Sequence, residues 1–432
     1  MEVWSIVVIA ILLSIILGFT AKINIGFIAL SFAYLVGSYI MDLKPKAIVA
    51  MWPLDIFFIL IAVSFFYSFA TANGTLEKLA QIILYRFRKY PVMLPFVVFL
   101  VAHLLSGMGA GYFAVMAFII PFTLIICEKT GMTQALGVVS AHGGAVSGGK
   151  FIISVSGKVM ESLVIAAGYS SEEAVSTVMM AYLSTTVVQA LMMVLLFCIT
   201  KQWKILKVDT GMEKPEPLNQ KQKINLVLIL AMVAVVLGPY IVGVFVKHPI
   251  ISTIQNKFDI SFVAILFSIV ALLFKLGDEK KLIKSLPWET ILMISGVGIL
   301  IQLGVSTGLI DALSSWVSAN IPPVAVPLIM MIAAGTMSVF SSTTGVVMPT
   351  LFPMVPALFA ASGVSVTVLF SLINLSSVST GLSPFSSGGG LSLSSCPTEE
   401  SRAKLLKSLL WLPFATLALT LCCGMLMTFI FK

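Results

Sequence analysis

Long apolar runs, interrupted by small-residue clusters and narrow polar loops, fill this sequence from one end to the other. A membrane crossing needs about 20 mainly apolar residues. Runs of that order fall near 3–20, 24–41, 54–72, 132–155 and 175–200, and again near 224–246, 259–276, 289–306, 364–383 and 404–430. Each half holds one further apolar stretch, about 91–127 and about 323–361, bent at a cluster of small residues. The clusters are Ser106-Gly107-Met108-Gly109-Ala110-Gly111 and Ser341-Ser342-Thr343-Thr344-Gly345.

The two halves read in the same order. Trp52-Pro53-Leu54-Asp55 and Pro287-Trp288-Glu289 open corresponding runs, which end at Asn73-Gly74-Thr75-Leu76-Glu77 and Thr307-Gly308-Leu309-Ile310-Asp311. Behind each bent stretch lies a Ser/Gly-rich break, Val146-Ser147-Gly148-Gly149 in the first half and 380–390 in the second. The predicted fold is therefore an all-α polytopic membrane protein of two repeats, 1–200 and 223–432, joined by a solvated linker at 201–222. Each repeat contributes five transmembrane helices and one re-entrant hairpin, with broken helices at the midplane. Five crossings is an odd number, so the repeats are expected to be inverted, as in many secondary transporters.

Charge follows this model. With the N-terminus outside, most of the 26 cations fall inside: Lys22, the Lys78 to Lys89 group, Lys129, the linker lysines, the Lys275 to Lys284 group, and Arg402, Lys404 and Lys407. Such a bias is the positive-inside pattern. Both termini are then outside, and a bacterial inner membrane is expected. Residues 3–20 have no basic leader, only Glu2, and read as a retained span rather than a signal peptide. Residues 75–90 place Leu76, Leu79, Ala80, Ile83 and Phe87 on one face, which predicts an amphipathic surface helix, with 309–318 as its counterpart.

Composition narrows the function. Residues are 59% hydrophobic and 10% charged, and mean hydropathy is +1.08; a soluble domain has about 25% charged residues. The net charge of +8 is spread over short loops, which argues topology rather than nucleic-acid binding. The five cysteines follow no ligand spacing and read as packing thiols. No phosphate-binding loop, metalloprotease motif or nucleophile paired with a base is present, so neither ATP-driven transport nor an enzyme is predicted, and no cofactor is expected.

Irregular backbone at membrane depth survives only against protein or a wet cavity. The four interruptions are therefore candidate sites. Open helix N-termini favour anions, while unwound carbonyls and hydroxyls suit a small hard cation. Candidate substrate contacts are Ser106, Gly107, Ser147, Gly148, Gly149, Lys150, Ser341, Ser342, Thr343, Ser383, Ser386 and Ser387. Candidate sodium ligands are Ser106, Gly109, Ser341, Thr343, Thr344, Thr380 and Gly381. Small residues also serve close helix packing; four clusters at matched positions favour the site. No Asp or Glu occurs in the four interruptions, which points to an anionic substrate. Lys150 either meets a substrate carboxylate or snorkels outward. His142 is a candidate proton relay or substrate ligand, or else a hydrogen-bonded packing residue. His103 carries the same alternatives. Asp55, Glu128 and Glu289 fall at span ends.

Two stretches, Gly18-Phe19-Thr20-Ala21-Lys22-Ile23-Asn24-Ile25-Gly26-Phe27 and Ser147 through Phe151, resemble the divalent anion:sodium symporters of the ion transporter superfamily, in their malonate/C4-dicarboxylate carrier branch. That family has a Ser-Asn-Thr motif at each hairpin tip. Ser341-Ser342-Thr343 matches with Ser for Asn, and Ser106-Gly107-Met108 keeps the serine alone. The resemblance implies that Ser106, Ser341 and Thr343 contact substrate or sodium. It also implies a homodimer working as an elevator, with a scaffold of about 3–72 and 224–306 and a moving part of about 91–200 and 323–430. The expected function is sodium-coupled transport of small di- or tricarboxylates. Alternatives are a proton-coupled carrier, an exchanger of carboxylates or inorganic oxyanions, and, further off, a channel or an intramembrane enzyme using His103 or His142.

Overall fold

The computed structural model describes residues 2–204, 213–245, 260–396 and 398–431. Lys207, one of the linker lysines placed inside above, lies outside them, as do Lys247, Lys257 and Lys432. Among the described residues the chain is helical with no strand, and eight helices are long and apolar enough to cross a membrane. The chain is a multi-pass membrane protein.

The first half runs α1 (Val3–Ala21), α2 (Ile25–Leu35), α3 (Leu54–Ala72) and α4 (Thr75–Arg86). Then come α5 (Leu94–Leu105), α6 (Tyr112–Thr130), α7 (Gln134–Gly148), α8 (Val155–Ala166) and α9 (Ser171–Ile199). The second half runs α10 (Gln220–Phe245), α11 (Ile260–Leu273), α12 (Trp288–Ser306), α13 (Leu309–Asn320) and α14 (Val326–Phe340), followed by α15 (Val355–Ser362), α16 (Val366–Ser379), α17 (Ser387–Ser394) and α18 (Glu399–Ile430).

Local chemistry sets these boundaries. α3 and α12 both stop at a left-handed glycine, Gly74 (φ 70°) and Gly308 (φ 81°), and the amphipathic α4 and α13 start there. A side chain in that backbone region costs energy that glycine avoids. α9 opens on a capping box in which Ser170 and Glu173 satisfy each other's backbone N–H. The predicted crossing at 132–155 is shorter than expected: α7 ends at Gly148, and α8 is a separate helix. Lys158 and Glu161 interrupt the hydropathy of α8, yet they pair at 2.6 Å with side chains only 13% and 15% exposed. The second break is also narrower than 380–390, because Gly388, Gly389 and Gly390 are helical within α17.

The two halves interlock through close backbone contacts. α2 packs on α12, and α3 packs on α11. A Cβ at Gly26 would lie 2.1 Å from the Leu292 carbonyl oxygen, and one at Gly296 would lie 2.0 Å from that of Gly26. Such approach is how membrane helices gain dispersion contacts without a hydrophobic drive between them. Asn24 ties the same junction by donating to the Glu289 carbonyl at 2.8 Å. A second packing unit joins α8 and α9 to α14, α15 and α16 around Met160, Met331, Phe352 and Phe370.

Candidate substrate site at two broken helices

α5 and α6 pack side by side about a tip at Ser106–Ala110. Gly109 (φ 102°) and Gly111 (φ 75°) turn the chain there, and a Cβ at Gly109 would enter the Tyr67 ring of α3. The Ser106 side chain is fully buried and its hydroxyl has no hydrogen-bond partner. It stands over the end of α7, where a Cβ at Gly149 would lie 3.0 Å from Ser106 Oγ. Gly107 in turn faces the Gly148 carbonyl.

Gly144 and Gly148, one helical turn apart, let α7 lie directly on α5. Added Cβ atoms would sit 2.1 Å from the Phe99 carbonyl oxygen and 2.0 Å from that of His103. Ser147 projects beside them. Its hydroxyl lies 2.9 Å from His103 Nδ1, and the other ring nitrogen of His103 lies 2.9 Å from Tyr182 OH on α9. Both nitrogens of His103 are thus engaged within the helix packing.

The second tip follows α14. Ser341 is extended (φ −138°), and a turn at Thr343–Val347 carries the chain onward. Ser341 donates to the Met337 carbonyl at 2.7 Å, Ser342 accepts from Gly345 N at 3.1 Å, and Thr343 Oγ1 lies 3.1 Å from Ser338 Oγ. Thr344 is half-buried. This tip rests on α12, where a Cβ at Gly345 would lie 2.7 Å from the Met293 methyl.

The two breaks share one hydrogen-bond frame. In the first, Ser154 Oγ donates to the Gly149 and Phe151 carbonyls and accepts from Gly157 N at 3.0 Å. In the second, Ser386 Oγ donates to the Gly381 carbonyl at 2.7 Å and the Ser383 carbonyl at 2.8 Å, and accepts from Gly389 N at 3.4 Å. A Cβ at Gly157 would strike the Phe151 carbonyl, and one at Gly389 the Ser383 carbonyl. The recurring pattern is Gly-x4-Ser-x2-Gly, 149–157 and 381–389. Sequence reasoning missed Ser154, Gly157 and Gly389; this spacing is the signal that finds them. Thr380 anchors the second break by donating to the Gly335 carbonyl of α14 at 2.8 Å. Ser383 is fully buried and accepts from Phe385 N at 3.2 Å. The Ser387 side chain lies outside the described ones.

Each serine caps the helix that restarts after its break. Replacing such a cap by alanine typically costs about 1 kcal/mol. S154A and S386A are each expected to lower the thermal midpoint in detergent; an unchanged midpoint would show that the frame contributes nothing.

Lys150 separates the two breaks chemically, because the matching position is Leu382. Lys150 is 2% exposed, so it does not snorkel. Its Nζ lies 3.9 Å from Met348 Sδ, just beyond the second tip, and it makes no salt bridge to a described residue. His142 is also buried, on α7, with Nδ1 2.8 Å from Tyr112 OH. Its ring edge meets Gly381, where a Cβ would lie 3.2 Å from Cε1. The first break thus reaches the chain just beyond the second tip through Lys150, and α7 reaches the second break through His142. Among the described residues no cluster of His, Cys, Asp and Glu suits a metal ion.

Residues 1–149 match the family model described as the N-terminus of the dicarboxylate carrier protein MatC. A search of curated proteins finds no match. The fold is similar to that of the YdaH transporter of Alcanivorax borkumensis, with a TM-score of 0.59 and 14% identity over 88% of this chain and 85% of that one. It is similar also to MtrF of Neisseria gonorrhoeae, described with a class of antimetabolite efflux pumps, with a TM-score of 0.57 and 11% identity over 92% and 85% of the two chains. The first third of this chain is thus similar to the N-terminal part of a dicarboxylate carrier, and most of the chain is similar in fold to two solved transporters.

Proposed function

We propose that the protein is a secondary active transporter for small dicarboxylates, coupled to sodium, in a bacterial inner membrane. The observation that carries this reading is Lys150, a cation buried at a helix break with no acidic partner among the described residues. A charge at membrane depth costs about 2.5–3.5 kcal/mol on insertion scales, and a substrate carboxylate supplies the missing counter-charge. The match of residues 1–149 to a dicarboxylate carrier supports the same class. Coupling cations offset the remaining negative charge, and Ser106 Oγ, buried and unbonded beside Gly149, offers a free oxygen ligand.

Two inverted repeats account for the architecture. The order α1 to α9 is matched element by element by α10 to α18, and the Gly-x4-Ser-x2-Gly frame recurs at the same step of each. The α5–α6 and α14–α15 units act as re-entrant hairpins. In this reading α1 to α3 and α10 to α12 form the scaffold of a homodimer, and the hairpins with α7 to α9 and α16 to α18 slide as an elevator.

Uptake of labelled malonate or succinate into proteoliposomes tests the proposal. Accumulation is expected with an inward sodium gradient and not without one. No uptake or counterflow of any carboxylate under sodium or proton gradients would sink it.

A further inference from the structure

We infer that His142 is a second substrate anchor at the break between α16 and α17, so that the carrier reads a dicarboxylate at two ends, one at Lys150 and one at the His142 Nε2–H. This rests on the carboxylate-carrier reading above and assigns the two ends of its substrate.

Break 2 has the backbone frame of break 1 but no cation, since Leu382 stands where break 1 has Lys150. A polar contact with a ligand there has to come from a neighbouring helix, and α7 delivers one. His142 is 3% exposed. The Tyr112 hydroxyl, 2.8 Å from Nδ1, holds the imidazole from one side. Tyr112 is itself seated over α17, where a Cβ at Gly388 would lie 2.4 Å from its hydroxyl. With the phenol donating to Nδ1, the ring proton sits on Nε2, and this is the tautomer that the second anchor uses.

Nε2 then points to Gly381 and the end of α16, where a Cβ would lie 3.6 Å from it. The Val378 carbonyl lies near the ring on that side, and it already accepts from Gly381 N at 3.2 Å. Nε2 makes no hydrogen bond of ordinary geometry. Native interiors seldom leave a buried donor unpaired, and one that is left needs a reason. A carboxylate oxygen entering break 2 provides it, with no side chain at Gly381 to stand in its way. The ring is held by Tyr112 on one side, has the already engaged Val378 carbonyl near it on the other, and faces a break built like the one that holds Lys150.

Binding measured calorimetrically on the purified full chain, with succinate and with butyrate as the one-carboxylate probe, tests the assignment. In the wild type succinate should bind more tightly than butyrate. His142→Leu is expected to reduce that preference about tenfold or more by weakening succinate alone, while His142→Gln, which keeps a donor, restores part of it. Tyr112→Phe, which frees the ring, should lower the preference severalfold and covers the case in which His142→Leu fails to fold. Lys150→Met should weaken both ligands together. An unchanged preference in the His142 and Tyr112 variants overturns the second anchor, as does an equal loss for both ligands or an effect confined to the response to a proton gradient. A wild type that binds no carboxylate at all would instead bring down the carrier reading itself.

Discussion

Lys150→Met is expected to weaken dicarboxylate binding by about two orders of magnitude while making the empty protein more stable. Truncating one partner of a buried charge pair costs about 2–5 kcal/mol or more, and about 2.7 kcal/mol is a hundredfold in affinity. In the empty protein the ammonium has only the Met348 sulfur near it. An ion taken from water without a partner carries a desolvation cost of several kcal/mol, which an apolar side chain of similar length removes. Calorimetry with the dicarboxylate, together with the thermal midpoint of the unliganded protein, reads both effects. Affinity and midpoint falling together would make Lys150 a structural residue. Unchanged affinity would remove it from the site.

Gly296→Val is expected to be the most disruptive substitution in the scaffold. Its Cβ would sit 2.0 Å from the Gly26 carbonyl oxygen, so backbone has to move, not a flexible side-chain end. Overpacking typically costs about 1–3 kcal/mol, and a clash of main chain against main chain belongs at or above the top of that range. The expected result is little or no folded protein by size-exclusion chromatography. Gly390→Ala is the control. Gly390 is helical, with open space where a Cβ would be, and alanine there should stabilise by about 0.5–1 kcal/mol. Normal yield of the Gly296→Val protein would mean that α2 and α12 do not meet as described.

The sequence disclosed this fold wherever hydropathy and small residues act locally. Gly109 and Gly111 mark the first tip, Gly74 and Gly308 end their helices, and Gly148-Gly149 closes α7, each because backbone geometry excludes a side chain there. α8 was hidden for a physical reason. Lys158 and Glu161 lower its hydropathy, and their mutual neutralisation exists only once the helix forms. The cap frame was hidden too, since serine and glycine at breaks resemble ordinary packing residues until the bonds of Ser154 and Ser386 are traced.

The polar contacts were the least legible part. His103 meets Ser147 and Tyr182, and His142 meets Tyr112, across separations of 44, 79 and 30 residues that no local pattern encodes. The resemblance-based expectation placed emphasis on the tip hydroxyls. In the structure, Ser341 donates to a helix carbonyl and Ser342 accepts from Gly345 N, whereas Ser106 is the tip serine left without a partner.

The junction of α2 with α12 also has a consequence for biosynthesis. The Asn24 bond to Glu289 joins residues 265 apart in the chain. At a translation rate of about 5–20 residues per second, α2 waits on the order of 15–50 s for the helix that completes its glycine face. During that interval the amino-terminal half sits in the bilayer with a notch shaped for a partner that has not been made. A ribosome stalled between the halves would leave that notch unfilled, and the carboxyl-terminal half, supplied as a separate polypeptide, is the segment shaped to fill it.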